Sequence, residues 1–366
     1  MQQTLYPKLI LDALATVRYP GNGKNIVEAN MVEDDIRIDG RKVSFSLIFD
    51  RPTDPFIKSV TKAAETAVKT FASDDAEVTV NVKTRQAAPE WVNPLPGVKN
   101  IIGISSGKGG VGKSTVASNL AVALAREGYK VGLLDADIFG PSVPKMFGAE
   151  GAQIYASEVD GKTKIEPVEQ YGVKMLSIGF MVDENASLTW RGGMASRALT
   201  QLITEANWGE LDYFLIDMPP GTSDIHLTLV QTLAMTGIII VTTPQQVALA
   251  DARRGITMFT DEKVNVPILG MVENMAYFVP EKHPDERYYI FGREGGFELA
   301  KKLNIDLLAQ IPIVGRICEA GDCGQPVTLD DSVTAQAFIH LAHEVVDAVD
   351  RRNRELPAPR RVKIKS

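Results

Sequence analysis

The chain has 366 residues, of which 45% are hydrophobic and 23% are charged, a balance typical of a globular protein with more than one domain. Its net charge of -7 argues against broad nucleic-acid binding. The sequence contains no run of about 18 apolar residues, so it predicts no membrane-spanning helix. The first residues lack the basic and then apolar layout of a secretion signal, so we expect a cytoplasmic protein.

Residues 1–84 have the pattern of a small α/β domain. Apolar residues at helical spacing within 9–17 and 55–71 predict two helices, and alternating stretches at 43–49 and 76–82 predict strands. This order resembles the small domain of iron-sulfur assembly proteins, in which a helix, a hairpin, a helix and a strand follow one another. That family has a cysteine in the loop before the second long helix, whereas this chain has none there. We therefore expect a docking or structural role for this domain.

A linker and a larger domain follow. Residues 85–97 contain three prolines and no periodicity, which predicts a semi-rigid linker. Over residues 98–350, apolar runs alternate with helical segments, which predicts an α/β fold with a doubly wound, mostly parallel sheet. The predicted strands lie at 100–105, 130–135, 174–178, 213–217, 238–242, 268–272 and 307–311. Ligands bind beyond the carboxyl ends of such strands, so functional residues should follow these runs.

The loop after the first of these strands matches the phosphate-binding pattern G-x-x-x-x-G-K-S/T and precedes a helical segment. Its glycines let backbone N–H groups surround an anion, Lys113 can reach the β- and γ-phosphates of ATP, and Ser114 can ligate Mg2+. A glycine-rich turn without a ligand is the alternative. The candidate nucleotide-binding residues of this loop are Gly107, Lys108, Gly109, Gly110, Val111, Gly112, Lys113, Ser114 and Thr115.

The loop carries a second lysine, Lys108, in its second position. This arrangement resembles the deviant phosphate loop of the MinD/ParA/nitrogenase-iron-protein class of dimerising ATPases. In that class the second lysine reaches across a nucleotide-sandwich dimer to the partner's phosphates. The resemblance therefore implies an ATP-dependent homodimer in which Lys108 acts on the partner's nucleotide. A solvated loop lysine is the alternative.

Carboxylates end two of the predicted strands. Asp135 and Asp137 are separated by one residue, and alternation along a strand places both on the same side. Resemblance to the same ATPase class implies that Asp135 holds the Mg2+ shell and Asp137 positions the attacking water, the alternative being a structural role such as helix capping. Asp217 is the expected carboxylate for the Mg2+ water shell, and Gly221 can offer its N–H to the γ-phosphate.

Longer motifs carry a closer resemblance. Together with the double-lysine loop, the stretches 135–142, 190–194, 208–213 and 217–224 resemble the Mrp/ApbC family of iron-sulfur cluster carrier ATPases. The similarity spans about residues 98–345 and departs at Gly193, where the family usually has proline. It implies ATP and Mg2+ as cofactors, a 4Fe–4S cluster, and apoprotein clients. In related ATPases an asparagine at the position of Asn274 reads adenine, against the alternative of an ordinary turn residue.

The cysteines depart from that family. Many members have a C-x-x-C pair in the segment that corresponds to residues 279–288, and this chain has no cysteine there. Its two cysteines are Cys318 and Cys323, in a predicted loop, and a twofold dimer could bring four such thiolates together. Two unrelated cysteines fit the spacing equally well. His283 is a substitute ligand or a solvated side chain.

Residues 333–349 have helical spacing, and residues 351–366 form a basic, proline-broken tail that we predict to be solvated. The leading hypothesis is an ATP-hydrolysing homodimer that carries iron-sulfur clusters to apoproteins. The alternative is a metal-free ATPase switch that organises protein partners or a surface, which the missing C-x-x-C pair favours. Nitrogenase-like electron transfer is a third class, but the cysteines that hold its cluster are not found in this sequence.

Overall fold

The computed structural model describes residues 5–84, 91–159, 161–181, 192–280, 283 and 285–362. The chain divides into two compact units, Met1–Val92 and Asn93–Ser366. No helix within the described ranges is long and apolar enough to cross a bilayer. Trp190 and Arg191, which belong to one of the motifs, lie outside the described residues, as do parts of the predicted linker and tail.

The first unit is a small α/β structure. Its elements are α1 (Pro7–Leu14), β1 (Arg37–Asp39), β2 (Lys42–Phe49), α2 (Ile57–Phe71) and β3 (Glu77–Thr84). β1 and β2 pair in antiparallel fashion, whereas β2 and β3 are parallel, with α2 between them in the chain. Buried apolar side chains of both helices and of β2 form the core, which includes Ile10, Leu14, Phe45, Leu47, Val60 and Ala64.

Two loops of this unit lie side by side, one after α1 and the other before α2. Tyr19 of the first loop donates its hydroxyl proton to Asp54 of the second. The Tyr19 ring packs edge-on against Phe49 and Phe56, at centroid distances of 6.5 and 5.8 Å. The loop before α2 is therefore part of a packed aromatic cluster.

The second unit contains the larger sheet. Its elements are β4 (Val98–Ser105), α3 (Lys113–Arg126), β5 (Val131–Asp135), α4 (Val143–Met146), β6 (Ala156–Val159), β7 (Lys162–Ile165), β8 (Val168–Gln170), β9 (Val173–Ser177), α5 (Gly192–Thr204), β10 (Leu211–Asp217), α6 (Asp224–Thr232), β11 (Gly237–Thr242), α7 (Gln246–Thr260), β12 (Ile268–Glu273), α8 (Gly295–Leu303), β13 (Leu307–Gln310), α9 (Gly315–Asp322) and α10 (Val333–Glu355).

Eight strands form one sheet in the order β13-β12-β11-β4-β10-β5-β9-β8, and all neighbouring pairs are parallel except β8 with β9. Side chains alternate between two apolar layers, so that Phe214 packs with α5 and α6 on one face and Leu215 with α3 and α10 on the other. The predicted doubly wound α/β fold is confirmed. All seven predicted strands are present, and β4, β5 and β10 end side by side, with Asp217 in register with Ile104 and Asp135.

Three short strands were not predicted. β6 and β7 form a separate hairpin, and β8 is the antiparallel edge of the large sheet. Each has only three or four residues and is half-buried at most, so none carries the apolar run that marks the central strands.

The last helix extends beyond the predicted segment. α10 continues to Glu355, so Arg351, Arg352 and Arg354, which were assigned to the basic tail, are helical. Arg352 is 9% exposed, because it lies on the same helix face as the buried residues Ala348 and Val349. Beyond the helix, Val362 is buried and donates its backbone N–H to the carbonyl of Val230 at the end of α6.

Candidate phosphate-binding site

The loop between β4 and α3 has the backbone conformation that an anion-binding turn requires. Gly110 and Gly112 have φ values of 80° and 78°, in the left-handed region that favours glycine. Gly112 caps α3, whose first residue is Lys113. The N-terminus of this helix therefore faces the loop, where its dipole and free N–H groups favour negative charge.

Gly107 has a different reason to be glycine. A Cβ at this position would lie 2.1 Å from the carbonyl carbon of Asp251 and 2.4 Å from the nitrogen of Ala252. Both atoms belong to the backbone of α7, which cannot move like a flexible side chain. The start of the loop is thus packed directly against α7.

The loop encloses a cavity of about 220 Å³ at the carboxyl ends of the strands. Predicted residues Lys108 to Thr115 and Asp137 line it, whereas Gly107 lies behind it against α7. Four further residues line the cavity without having been predicted as ligands, namely Ser106, Ser142, Met146 and Pro220. Ser106 directly precedes the predicted loop, and Ser142 and Pro220 belong to the motif stretches 135–142 and 217–224. Met146 lies on α4, four residues after Ser142, where only the fold brings it to the loop.

Lys113 and Asp217 form a buried ion pair at the base of the cavity. The Lys113 Nζ is 2.5 Å from Asp217 Oδ1, and their side chains are 6% and 0% exposed. The same ammonium donates to Ser114 Oγ at 3.3 Å. Asp217 Oδ2 is buried and accepts no hydrogen bond from the described part of the chain. The residues predicted to contact phosphate and magnesium are therefore in contact with one another.

Asp135 lies beneath the cavity with both oxygens engaged. Oδ2 accepts hydrogen bonds from the backbone N–H groups of Ser142 and Val143, at 3.1 and 3.2 Å, and from Ser177 Oγ at 3.0 Å. Oδ1 accepts the N–H of Asp137 at 3.1 Å. Burial, and next the negative charge of Asp217, raise the pKa of Asp135 to about 7. This carboxylate accepts the first N–H groups of α4, which is the helix-capping role given above as the alternative to magnesium binding.

Asp137 is the carboxylate that reaches the cavity wall. Burial raises its pKa above the usual range, an effect that the positive charge of Lys113 opposes. Alternation at the strand end had predicted that both aspartates face the phosphates. The structure separates them, because the chain turns after Asp135 and that residue binds the turn from below.

The loop from β10 to α6 crosses next to the phosphate loop. Pro220 lines the cavity, and Gly221, with a φ of 77°, donates its N–H to the carbonyl of Ser106 at 2.9 Å. In this conformation the N–H predicted for the γ-phosphate is therefore bound to the phosphate loop itself. Donation to a phosphate requires this loop to move.

Asn274 lies against the phosphate loop. Its side-chain amide donates to the carbonyl of Val111 at 2.8 Å, and the residue is 6% exposed. A Cβ on Gly112 would lie 2.3 Å from the same amide nitrogen. The contact between Asn274 and the loop accordingly depends on glycine at position 112.

Lys108 lines the cavity without a partner for its ammonium group among the described residues. The carbonyl of Lys108 accepts a hydrogen bond from Ser106 Oγ at 2.9 Å, which fixes the backbone but leaves the side chain unpaired. The two lysines of the loop thus differ, since Lys113 is held by a buried carboxylate.

The two cysteines lie on a helix, not in the predicted loop. Cys318 is within α9 and Cys323 caps its C-terminus, and both are exposed. Five residues of helix rotate the two side chains apart by about 140°. Nearby Asp322 raises the pKa of the Cys318 thiol through its charge. Within the described residues, no group of three or more His, Cys, Asp or Glu side chains could hold a metal ion.

Each of the two units matches the family model of a group of known proteins. The family model described as NUBPL iron-transfer P-loop NTPase matches residues 97–346, and the model described as iron-sulfur cluster assembly protein matches residues 8–80. An iron-sulfur cluster carrier protein of Synechocystis sp. is 45% identical over 345 residues, which cover 93% of this chain and 97% of that protein.

Two solved structures have a similar fold. A nucleotide-binding protein of Archaeoglobus fulgidus in complex with ADP is 40% identical, with a TM-score of 0.55, over 63% of this chain and 89% of that one. The septum site-determining protein MinD of Pyrococcus horikoshii, in complex with Mg-ADP, is 26% identical, with a TM-score of 0.50, over 69% of this chain and 98% of that one.

Proposed function

The chain belongs to the family of iron-transfer P-loop NTPases, and we propose that it is an iron-sulfur cluster carrier that binds and hydrolyses ATP as a homodimer and transfers its cluster to apoproteins. The observation that carries the nucleotide part is the buried Lys113–Asp217 pair beneath a glycine-lined cavity. The cluster part is supported by the relative named an iron-sulfur cluster carrier protein, which matches almost the whole chain.

The loop residues supply the contacts that hydrolysis needs. Lys113 exchanges Asp217 for the β- and γ-phosphates, the N–H groups of the loop hold the phosphate oxygens, and Asn274 lies beside the loop where a base can be read. Asp137 orients the attacking water from the cavity wall, and Gly221 turns its N–H from Ser106 to the γ-phosphate. Lys108, unpaired in its own subunit's described residues, reaches the partner's phosphates.

The oxygen donors at the base of the cavity fit magnesium. Asp217 Oδ2 is buried without a hydrogen-bond donor among the described residues, and the Lys113 ammonium contacts both Asp217 Oδ1 and Ser114 Oγ. Hard oxygen ligands of this kind suit Mg2+, which when bound neutralises charge on the phosphates. Asp135 acts on the proposed magnesium site indirectly, because its side chain accepts the backbone N–H groups of Ser142 and Val143 and so holds the turn beside the cavity.

Nucleotide turnover tests the first half of the proposal. We expect Lys113→Ala to lose ATP binding and hydrolysis, because Asp217 and the phosphates lose their shared cation. Lys99→Ala is the matched control, since Lys99 is an exposed lysine at the opposite end of β4, paired with Asp212. Equal turnover of Lys113→Ala and wild type would remove the mechanism.

The cluster is cargo, and the thiolates available for it are those of Cys318 and Cys323. Because the two side chains diverge around α9, a single subunit is poorly shaped to chelate a cluster. A twofold dimer supplies the four thiolates that a 4Fe–4S cluster takes once the C-terminal end of α9 turns Cys323 to the side of Cys318. The cluster therefore depends on the same dimer as Lys108.

Anaerobic reconstitution with iron and sulfide tests this second half. Bound iron, acid-labile sulfide and visible absorbance are compared for wild type, for the Cys318→Ser/Cys323→Ser double variant, and for Lys99→Ala as the control for nonspecific loading. We expect stoichiometric cluster in wild type and in Lys99→Ala, with loss in the double variant. ATP hydrolysis without a cluster in any of the three would instead support the metal-free ATPase switch.

A further inference from the structure

His226 is a buried polar side chain to which the proposed reaction assigns no role. It lies in the first turn of α6, directly after the loop that carries Asp217 and Gly221, and it is 0% exposed. Its ring is 6.1 Å from that of Phe259 on α7, the helix that also packs against Gly107. The side chain therefore connects the β10–α6 loop with the element that supports the phosphate loop.

One ring nitrogen has a defined partner. Nδ1 accepts the backbone N–H of Ser223 at 3.1 Å, so that His226 and Ser223 form a capping box at the start of α6. Since Nδ1 is an acceptor, the ring proton is on Nε2. Burial, followed by the charge of Lys113, lowers the pKa of His226 to about 4, which keeps this neutral tautomer at neutral pH.

The other ring nitrogen is unsatisfied. Nε2 is buried and makes no hydrogen bond to the described residues. Buried donors almost always have an acceptor, so an unpaired one at this position calls for an explanation. The backbone of Pro219 already lies close enough to the ring to raise the pKa of His226 in opposition to burial, although its geometry is not that of a full hydrogen bond to Nε2.

The β10–α6 loop is also incompletely arranged for catalysis. Gly221 donates to Ser106 in this conformation, and Pro220 lines the cavity beside it. When Gly221 leaves Ser106, the peptide group between Pro220 and Gly221 turns. The Pro219 carbonyl lies in the neighbouring peptide group, across the φ-restricted ring of Pro220. The Nε2–H of His226 is a donor available to that carbonyl.

We propose that His226 is a positioning residue for ATP hydrolysis: Nδ1 fixes the end of the loop through Ser223, and Nε2–H binds the Pro219 carbonyl when Gly221 turns from Ser106 to the γ-phosphate. This inference rests on the proposed function. His226 does not contact the nucleotide. Its effect is on the population of the loop conformation that completes the site.

Three substitutions separate the two nitrogens. His226→Gln keeps an acceptor for Ser223 and a longer amide donor. His226→Asn has the shorter amide, which can place an acceptor at the position of Nδ1 but no donor at that of Nε2. His226→Phe keeps the ring volume without either group. Phe259→Leu alters packing against the same ring and leaves both nitrogens in place. The measurements are kcat and KM for ATP hydrolysis, ATP affinity, and melting temperature.

We expect His226→Asn and His226→Phe to lower kcat by about 10- to 100-fold with ATP affinity changed by less than about threefold, because a misplaced loop affects the transition state more than the bound ground state. His226→Gln should retain at least about a third of wild-type kcat, and Phe259→Leu should lower the melting temperature without this selective loss of kcat.

Wild-type kcat in His226→Asn would overturn the role of Nε2, and equal loss of kcat in all four variants would reduce His226 to a packing residue. Absence of ATP hydrolysis in the wild-type protein would be a different result, since it rejects the proposed function itself.

Discussion

Two carboxylates and one ammonium are buried together below the phosphate cavity. Asp135 and Asp217 end adjacent strands, are both 0% exposed, and share one buried cation, Lys113. Removing such groups from water costs several kcal/mol per ion, about as much as their attraction returns, so the cluster is poor at stabilising the fold. Burial first, and then the negative charge of Asp217, raise the pKa of Asp135, and the charge of Lys113 opposes both. The arrangement fits the magnesium and phosphate ligands that we propose for this site.

His226 gives a prediction of stability against pH. Its pKa is about 4 in the folded protein and 6.5 when exposed, so on acidification the unfolded chain binds a proton before the folded one does. This contribution to the free energy of unfolding is therefore constant above pH 6.5 and becomes unfavourable as the pH falls from there towards 4. Relative to His226→Gln, wild type should lose roughly 2 kcal/mol between pH 7 and pH 5, measured by urea unfolding.

His283→Gln is the control for that measurement. The His283 side chain is 64% exposed and pairs with Glu286 at 3.5 Å, so its replacement should change the free energy of unfolding by less than about 1 kcal/mol at either pH. If the free energy of unfolding fell equally with pH in wild type and in His226→Gln, the ring would gain a proton as easily in the folded protein as in the unfolded chain.

At the scale of elements, the phosphate loop is positioned by close contacts of its own backbone with neighbouring elements. Gly107 touches α7, Gly112 touches Asn274, and Gly221 is hydrogen-bonded to Ser106. These contacts connect the loop to α7, to the end of β12, and to the start of α6. The loop can therefore keep its shape without a ligand, while the Gly221–Ser106 hydrogen bond that links it to the β10–α6 loop is one that ligand binding can replace.

The contact of Gly107 with α7 predicts a large effect of one methyl group. In Gly107→Ala the new Cβ lies 2.1 Å from a backbone carbon of Asp251, a separation that forces the loop and helix apart. We expect the free energy of unfolding to fall by about 1–3 kcal/mol, the usual result of overpacking. Urea unfolding followed by far-ultraviolet circular dichroism measures this change.

Gly109→Ala is the matched substitution in the same loop. Its Cβ would have Pro220 Cβ as its nearest neighbour, at 4.0 Å, which is ordinary van der Waals contact. Its unfolding free energy should stay within about 0.5 kcal/mol of wild type. If the two alanine variants were equally stable, the close approach of Gly107 to α7 could not be what fixes the loop.

Sequence patterns predict elements well where one residue type dominates. The central strands were identified because they are continuous apolar runs, and the phosphate loop because its glycines and lysines lie close together in the chain. The polar strands β6 to β8 give no such signal. Nor could the pattern show that the Asp135 carboxylate accepts hydrogen bonds from Ser142, Val143 and Ser177, the last of them 42 residues away. The hydrogen bond between Asn274 and Val111 joins residues 163 positions apart and is equally invisible in the sequence.

At the scale of the molecule, the chain joins a compact assembly-type unit to an NTPase unit that holds most of a phosphate site. Of the two lysines that line this site, Lys113 is paired with Asp217 at its base. Lys108 lines the cavity without a partner in the described residues. The active site shared between two subunits that we propose gives Lys108 the partner's phosphates as its target.

Mixing two inactive variants tests whether the site is shared. Lys108→Ala removes the lysine offered to the partner, and Asp137→Ala removes the carboxylate of the subunit's own cavity. If Lys108 acts across the dimer, a mixed dimer has one site with both groups intact and one site with neither. Random pairing in an equal mixture makes half of the dimers mixed, so hydrolysis should recover to about a quarter of the wild-type rate. If Lys108 acts within its own subunit, every site in the mixture lacks one group, and the rate stays at the mean of the two variants.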